Sequence, residues 1–218
     1  MAILCKNLIR ALKDNLNKTG NYSDYLNAAI LVPLIIENGQ LSLLFEVRST
    51  DLAWQPGEIC FPGGRIEVTD PTPLAAALRE TDEELGLPQE TIQILGSLHE
   101  VLSPIGVRLY PFIGYLSDIS SIEPMRDEVA DVFTVPLEFL LTAEPIVGEM
   151  ERGTRPLGDF PFDLLPSYSK QWKSRKKYQI LFYKYKDHVI WGLTAQVLYA
   201  FLEVCKESKK YDKKKPSL

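Results

Sequence analysis

Histidine and cysteine are scarce in this chain, and their spacing argues against several kinds of site. The two histidines, His99 and His188, are far apart and lack the spacing of metal ligands, so neither is a candidate ligand or general base. The three cysteines, Cys5, Cys60 and Cys205, are odd in number and form no C-x-x-C pair. The sequence therefore predicts neither a disulfide framework nor a zinc site, and a reducing cytoplasmic location fits best.

Long apolar runs and an excess of positive charge are also missing. No apolar stretch approaches the length that spans a membrane, and charges interrupt the N-terminal "MAILCKNLIRALKDNL" too often for a signal peptide. The formal net charge is -5, which argues against non-specific nucleic-acid binding. We expect no membrane and no nucleic-acid partner. An anionic small molecule is still compatible, because a bound metal can supply local positive charge.

The length and composition suit one domain with a sizeable core. The chain has 218 residues, of which 45% are hydrophobic. Leucines at every fourth position predict an amphipathic helix over about 2–17. The last residues, about 207–218, are rich in lysine and are expected to form a solvated, disordered tail. We therefore predict a single domain over 1–218 with its core at about 25–206.

The core reads as strands interrupted by helices. "YLNAAILVPLII" and "LSLLFEVR" flank an Asn-Gly turn and predict a hairpin, and "TIQILGSLHEVL" and "RLYPFIGYL" predict two more strands. "EVADVFTVPLEFL" reads as a strand running into a short helix, and "EPIVGEM" with "YQILFYKY" as another strand pair. "IWGLTAQVLYAFLEVCKE" is the strongest helix. The fold class is a mixed α/β sheet sandwiched between helices.

One predicted helix carries a concentration of acids. "RETDEELG" begins at Arg79, after Thr72-Pro73, a favourable helix start, and ends at Gly86, a favourable helix stop. At about 100° per residue, one face is committed to the core and a second face collects three carboxylates. The core face holds Leu74, Ala77, Leu78, Thr81 and Leu85, and the acidic face holds Glu80, Glu83 and Glu84.

Clustered carboxylates suit a hard divalent cation. Like charges at adjacent helical positions are unfavourable unless a cation lies among them, and oxygen ligands suit Mg²⁺ or Mn²⁺. Arg79 lies one turn before Glu83 and can hold it in place. Gly63 and Gly64, in "CFPGG", allow close approach of the backbone, so a carbonyl there could complete a metal site.

The segment that begins at Gly64 resembles the Nudix box, G-x5-E-x7-R-E-U-x-E-E-x-G-U, in which U is a bulky apolar residue. Arg79-Glu80 matches the R-E pair, Glu83-Glu84 the E-E pair, and Gly86-Leu87 the end. Asp70 stands where the first glutamate is usual, with one extra residue before Arg79. Thr81 also replaces an aliphatic residue.

The stretch before the box is similar to the signature of Nudix coenzyme A pyrophosphatases. Ala53 stands in place of the usual arginine of that signature, and Gln55 in place of a common histidine. The later "DEVADVFTVPL" and "IWGLTAQVL" are similar to the same subfamily, so the resemblance covers about 25–202. The matching residues upstream of the box are Leu44, Arg48, Ser49, Gly57, Phe61, Pro62, Gly63 and Gly64.

This resemblance implies a Nudix fold and metal-dependent hydrolysis of coenzyme A or a derivative. Gly64, Glu80, Glu83 and Glu84 would hold Mg²⁺ or Mn²⁺, Arg79 would orient the carboxylates, and Glu80 or Glu128 would take the proton. Candidate substrate-binding residues are Arg48, Ser49, Gly57, Gly63, Arg65 and Arg108.

Several points stay open at this stage. Trp54 is a candidate to stack on adenine or cover the pantetheine arm, although a lone tryptophan more often belongs to the core. Cys60 reads as a small buried hydrophobe. The alternatives are a Nudix enzyme acting on ADP-ribose, a dinucleotide or a nucleoside triphosphate, and a Nudix nucleotide-binding module without turnover. Whether the chain forms a homodimer is also left open.

Overall fold

The computed structural model describes residues 25–212. The helix predicted at 2–17 lies outside the described residues, as do the last six residues of the predicted tail. The strands are β1 (Leu26–Glu37), β2 (Gln40–Arg48), β3 (Ile59–Cys60), β4 (Gly63–Arg65), β5 (Ile92–Ser97), β6 (Val101–Leu102), β7 (Val107–Leu116), β8 (Val129–Pro136), β9 (Ile146–Thr154), β10 (Lys173–Tyr185) and β11 (His188–Trp191). The helices are α1 (Pro73–Leu85), α2 (Leu137–Thr142) and α3 (Gly192–Asp212), with a 3-10 turn at Gln89–Thr91.

The main sheet is mixed and is built around β1. Its central strand order is β3-β2-β1-β7-β5, while β4 pairs with β1, β6 with β7 and β8 with β2. The predicted hairpin of β1 and β2 is confirmed, and both turn residues, Asn38 and Gly39, have positive φ (51° and 77°). β1 runs parallel to β7 from Leu26 opposite Val107 to Ile35 opposite Leu116. The central strands are therefore held on both sides.

The alternation of side chains along β1 separates two cores. Ala28, Ile30, Val32 and Leu34 belong to the larger core, which includes buried residues of α3 and of β10 and β11. Leu31 and Ile35 face the opposite side, where they pack with Leu85 and other residues near α1. The sheet is thus covered on both faces, which confirms the predicted fold class.

A second, three-stranded sheet has the order β11-β10-β9. The sequence predicted the pairing of β9 with β10 but not the short β11, whose Ile190 and Trp191 read as the start of a helix. The final helix begins at Gly192, with φ of 64°, and continues to Asp212. The part of the predicted tail from 207 to 212 is therefore helical.

No helix in the described range 25–212 is both long and apolar enough to cross a membrane.

Candidate active site

Helix α1 starts and ends where its sequence predicts. The Thr72 side chain accepts a hydrogen bond from the Ala75 N–H at 3.1 Å, and Pro73 occupies the first turn. Gly86 adopts a left-handed conformation, with φ of 65°, and its N–H donates to the Asp82 carbonyl at 2.8 Å. These two caps fix which turns of the helix carry the acidic residues.

Helix α1 is rotated about its axis relative to the prediction, so the set of side chains that it buries is different. The buried residues include Ala76, Thr81 and Glu84, whereas Leu74 and Leu78 are only partly buried. Thr81 is buried, but its hydroxyl keeps a hydrogen-bond partner because it donates to the Ala77 carbonyl at 2.7 Å.

The three predicted glutamates therefore do not share one environment. Only 4% of the surface of Glu84 is exposed, while the side chain of Glu83 is 52% exposed.

Two glycines bring the backbone of β4 directly against two of these carboxylates. The Gly63 N–H donates to Glu84 Oε2 at 2.7 Å. A Cβ atom added to Gly64 would lie 2.5 Å from Glu80 Oε2, so the carboxylate of Glu80 occupies the space that a side chain would fill. Gly63 also has φ of 137°, a conformation that other residues rarely adopt. The glycine pair and α1 together form the predicted centre of the site.

Arg79 binds three carboxylates at once. Its Nε and Nη2 donate to Asp70 at 3.0 Å each, its Nη1 donates to Glu83 at 3.0 Å, and its Nη2 lies 2.9 Å from Glu80. The predicted pairing with Glu83 is confirmed. Asp70, despite the extra residue in the loop before the helix, is the bidentate partner of the guanidinium.

The charges around Arg79 are reflected in the pKa values of its partners. Hydrogen bonds from Arg79 and from the Glu67 N–H hold the pKa of Asp70 below its usual value. The same contact with Asp70 raises the pKa of Arg79. Asp70 is therefore ionised and acts as a fixed anchor for the guanidinium.

Burial opposes ionisation of the two inner glutamates. Burial, together with the charge of Glu80, raises the pKa of Glu84 to about 8, although the hydrogen bond from Gly63 acts in the opposite direction. The pKa of Glu80 is also raised by burial, and the neighbouring Arg79 lowers it. Both carboxyls are thus placed where added positive charge would stabilise their ionised forms.

The donor set fits a hard divalent cation, although its side chains are not arranged around one. Within residues 25–212, no three acidic, histidine or cysteine side chains converge closely enough to enclose an ion. Glu80 and Glu83 are instead paired with Arg79. Carboxylate oxygens and a glycine carbonyl suit Mg²⁺ or Mn²⁺. Ion binding therefore requires reorientation of side chains around Arg79.

A fourth carboxylate, Glu46 on β2, was not predicted. Glu46 is 1% exposed and lies on the same face of β2 as Leu44, the face that α1 covers. Its Oε2 accepts a hydrogen bond from Cys60 Sγ at 3.8 Å. The only signal in the sequence was an acid within the apolar run "LSLLFEVR". Cys60 itself is held as a neutral thiol, because burial raises its pKa well above the usual value.

Glu128 is exposed and lies at the edge of this carboxylate group. Its charge contributes to the raised pKa values of Glu80 and Glu84, although burial is the main cause in both. Its carbonyl accepts a hydrogen bond from the Ser49 N–H at 2.8 Å, which ties its loop to the end of β2. Ser49 is buried, and its Oγ accepts from the Asp51 N–H. Ser49 thus positions the loop that carries Glu128.

Arg48 and Gly57 close the loop that precedes the glycine pair. The Arg48 N–H donates to the Glu58 carbonyl at 2.9 Å, and the Gly57 N–H donates to the Arg48 carbonyl at 3.2 Å. Gly57 has φ of 71°.

The Arg48 side chain interacts with both this loop and the acidic centre. Its Nε donates to the Trp54 carbonyl at 3.3 Å, and its charge acts on both Glu46 and Glu84. Of the three arginines predicted to bind substrate, Arg48 is the one electrostatically linked to Glu46 and Glu84.

The other two predicted arginines are placed differently. Arg65 is exposed, and its carbonyl accepts a hydrogen bond from Arg79 at 3.3 Å. Arg108 Nε lies 3.7 Å from Glu100, and a hydrogen bond with Tyr110 raises its pKa. The neighbours of Arg108 along β7, Val107 and Leu109, line the cleft described next, so the side chain of Arg108 lies on the opposite face of the strand.

A mainly apolar cleft of about 730 Å³ reaches the glycine pair. It lies between the main sheet and the second sheet, with Ala28 and Ile30 on one side and Met150 and Tyr178 on the other. Trp54 also lines it and is 65% exposed, so the more common role of a core tryptophan is wrong here. This volume is within the range of small-molecule sites.

The chain is similar to proteins of one family. The family model described as the NUDIX domain matches residues 25–153. The peroxisomal coenzyme A diphosphatase NUDT7 of Mus musculus is 37% identical over 140 residues, which are 62% of this chain and 59% of that protein. The alignment thus spans less than two thirds of that relative's length. The uncharacterized Nudix hydrolase NudL of Pectobacterium atrosepticum is 31% identical over 79% of each chain.

A solved structure, that of a MutT/nudix family protein from Enterococcus faecalis, is 16% identical with a TM-score of 0.48, covering 91% of this chain and 69% of that one. The family match and the relative aligned over most of both chains establish that this chain belongs to the Nudix hydrolase family.

Proposed function

We propose that this protein is a divalent-metal-dependent pyrophosphatase of coenzyme A or its derivatives. The products would be 4′-phosphopantetheine, or its acyl form, and adenosine 3′,5′-bisphosphate. Nudix hydrolases generally use divalent metal ions, and a relative of this chain is named a coenzyme A diphosphatase. The observation that carries the proposal is the contact of Glu80 and Glu84 with the Gly63-Gly64 pair, which also lines an apolar cleft.

The proposed metal-holding groups are Glu80, Glu83, Glu84 and the Gly64 carbonyl. A divalent ion bound there supplies positive charge to the pyrophosphate and lowers the pKa of a bound water. The contacts of these residues with Arg79 and Gly63 limit how far the carboxylates must reorient to bind the ion. In such reactions, positioning and electrostatic stabilisation provide most of the catalysis.

The proton acceptor is proposed to be Glu80 or Glu128. Glu80 is half-buried and in contact with Gly64, whereas Glu128 is exposed on a neighbouring loop and contributes charge to the same site. An exposed carboxylate can release its proton to solvent after each turnover, which favours Glu128. A buried one is better positioned near phosphorus, which favours Glu80. Both residues are therefore assigned as candidates.

The cleft provides the support for a long substrate with one apolar arm. Pantetheine is a flexible, weakly polar chain attached to the pyrophosphate, and the cleft is lined by the glycine pair and by many apolar side chains. Arg48 lies beside the inner carboxylates and is the proposed phosphate ligand at the other end. Trp54 is exposed at this cleft and is proposed to cover the bound substrate.

The direct test is product analysis after incubation with coenzyme A and either Mg²⁺ or Mn²⁺. We expect the two named products from the wild-type chain and their loss when the metal is chelated. ADP-ribose, a dinucleotide and a nucleoside triphosphate, compared by kcat/KM, test the alternative Nudix substrates. Tight nucleotide binding without any metal-dependent product would instead show a binding module.

Glu84→Gln links this activity to the site. The amide oxygen can still accept the hydrogen bond from Gly63, so we expect the fold to survive while activity falls about 10²-fold or more. Glu90→Gln, at an exposed position in the 3-10 turn, is the matched control. A fully active Glu84→Gln protein would overturn the assignment of the metal site.

We also propose that the chain forms a single Nudix domain in a reducing compartment such as the cytosol. The strands and helix that follow the matched region, β10, β11 and α3, contribute to the same core as β1. Neither Cys60 nor Cys205 is joined in a disulfide within the described part of the chain, as a reducing compartment allows.

A further inference from the structure

Glu46 is a buried carboxylate without enough hydrogen-bond donors. It is 1% exposed, and its Oε1 has no hydrogen-bond partner within the described part of the chain. Its Oε2 has only the weak donor Cys60 Sγ at 3.8 Å. Burying a carboxylate is costly unless a cation or several donors satisfy it. Neither is provided to Oε1 by the surrounding side chains.

This carboxylate lies on the face of β2 that α1 covers and interacts electrostatically with the acidic centre. Burial raises the pKa of Glu46, and the charge of Glu84 is the second cause, which places the two carboxyls close enough to interact. Glu84 has one described donor, the Gly63 N–H at 2.7 Å. The charge of Arg48 lowers the pKa of both carboxyls, but its Nε donates its hydrogen bond to the Trp54 carbonyl. Two buried carboxyls that repel each other electrostatically therefore have one weak and one strong described donor, from Cys60 and Gly63.

We propose that Glu46 is a further oxygen ligand of the divalent metal site, approaching it from β2 while Glu80 and Glu84 approach from α1. This rests on the proposed function, and it adds a residue that lies outside the Nudix box. A divalent cation would supply the positive charge that two interacting buried carboxylates lack. A fourth carboxylate, contributed by a strand of the central sheet, also gives the ion a rigid ligand. Glu80 and Glu83, by contrast, are shared with Arg79.

The test is a calorimetric titration of the whole protein with Mn²⁺, combined with thermal unfolding without metal. Glu46→Gln should weaken Mn²⁺ binding about tenfold or more. It should also raise the Tm of the metal-free protein, because the amide removes a buried charge and can donate to Glu84. A merely structural Glu46 would leave Mn²⁺ affinity unchanged. The controls are Glu84→Gln, which should also weaken binding, and the exposed Glu90→Gln, which should not.

Glu46→Asp provides a second variant if the glutamine protein fails to fold. It keeps the charge but withdraws the carboxylate by one methylene, so we expect weaker Mn²⁺ binding than in wild type. Wild-type Mn²⁺ affinity in either folded variant overturns the proposal. If this occurs while Glu84→Gln still weakens binding, only the role of Glu46 fails. If the wild-type chain binds no Mn²⁺, the proposed function fails with it.

Discussion

At the scale of single residues, Arg79 controls the arrangement of the acidic centre. Its planar guanidinium binds Asp70 through two nitrogens while the same group reaches Glu80 and Glu83. A lysine would keep the charge but lose this forked geometry. The role of Arg79 is therefore geometric as well as electrostatic.

We predict that Arg79→Lys lowers activity at least tenfold although the positive charge is retained, because a single ammonium cannot hold three carboxylates in place. Asp70→Asn should lower activity in the same direction, since it removes the anchor of the guanidinium. Metal-dependent kcat/KM measures both effects. Asp82→Asn is the control on the same helix, since the Asp82 carboxylate is not among the partners of Arg79 described above. Full activity of Arg79→Lys would show that charge alone is sufficient.

Substitution of Arg48 tests substrate recognition separately from the catalytic step. If it binds the 3′-phosphate of coenzyme A, its removal costs a charge-assisted hydrogen bond, roughly 1.5–3 kcal/mol or about one to two powers of ten. Arg48→Ala should lower kcat/KM by that factor for coenzyme A and much less for dephospho-coenzyme A. The measurement is the double ratio of both substrates on both proteins, with the exposed Arg152→Ala as control. A double ratio near one would place Arg48 at the shared pyrophosphate or in a structural role.

At the scale of elements, β4 shows two different uses of adjacent glycines. A Cβ at Gly63 would lie 2.4 Å from the Ala29 carbonyl and would require the unfavourable φ of 137°. A Cβ at Gly64 would meet only the end of the flexible Glu80 side chain, at 2.5 Å. The first conflict is with backbone that cannot move, and the second with a group that can.

The two glycines should therefore respond differently to alanine. Gly64→Ala should fold with a Tm near that of wild type and lose most of its activity, because Glu80 is displaced from its place against β4. Gly63→Ala should lower the Tm markedly, since both its φ and its packing against β1 are incompatible with a side chain. Thermal unfolding and metal-dependent activity are measured on each variant. Equal loss of stability in both would contradict this division.

The helices and strands differ in how well the sequence predicted them. The caps of α1 were predictable because Thr72, Pro73 and Gly86 are local signals that tertiary contacts did not override. The rotation of the helix was not, because it depends on the approach of Gly63 to Glu84 across 21 residues. The short strands β3, β4 and β11 were missed for a related reason. Two to four residues carry no periodicity, and only pairing with distant strands defines them.

The sequence predicted the acidic residues of α1 and the glycine pair of β4, but it did not predict Glu46 on β2. Glu80, Glu83 and Glu84 follow one another closely, so the motif brought them together in the sequence. Glu46 is 38 positions before Glu84, and only the pairing of β1 with β2 and the packing of α1 bring the two into the same region. The spatial neighbours of a motif cannot be derived from the motif itself.

At the scale of the whole molecule, the two sheets form different parts of the candidate site. The main sheet and α1 carry the acidic centre, and the second sheet closes the apolar cleft from the other side through Met150 and Tyr178. This cleft could not be predicted from the sequence, because its walls come from strands more than a hundred residues apart. If the pantetheine arm lies there, the second sheet contributes to substrate affinity without contacting the reacting atoms.

Met150→Asp tests this division of roles. Met150 is a partly exposed residue of β9, so an acid there should be tolerated by the fold while it places a charge in the wall of the cleft. Loss of apolar burial equivalent to about two methylene groups is about 1.6 kcal/mol, or roughly tenfold. We expect KM to rise by about that factor for coenzyme A and dephospho-coenzyme A alike, because both carry the arm, with kcat nearly unchanged. ADP-ribose, which lacks the arm, should be turned over by the variant as well as by the wild-type protein.

Leu164→Asp, at an exposed apolar residue outside the cleft, is the control. A fall in kcat with KM unchanged would place Met150 in the catalytic step, and unchanged KM and kcat would place the pantetheine arm elsewhere.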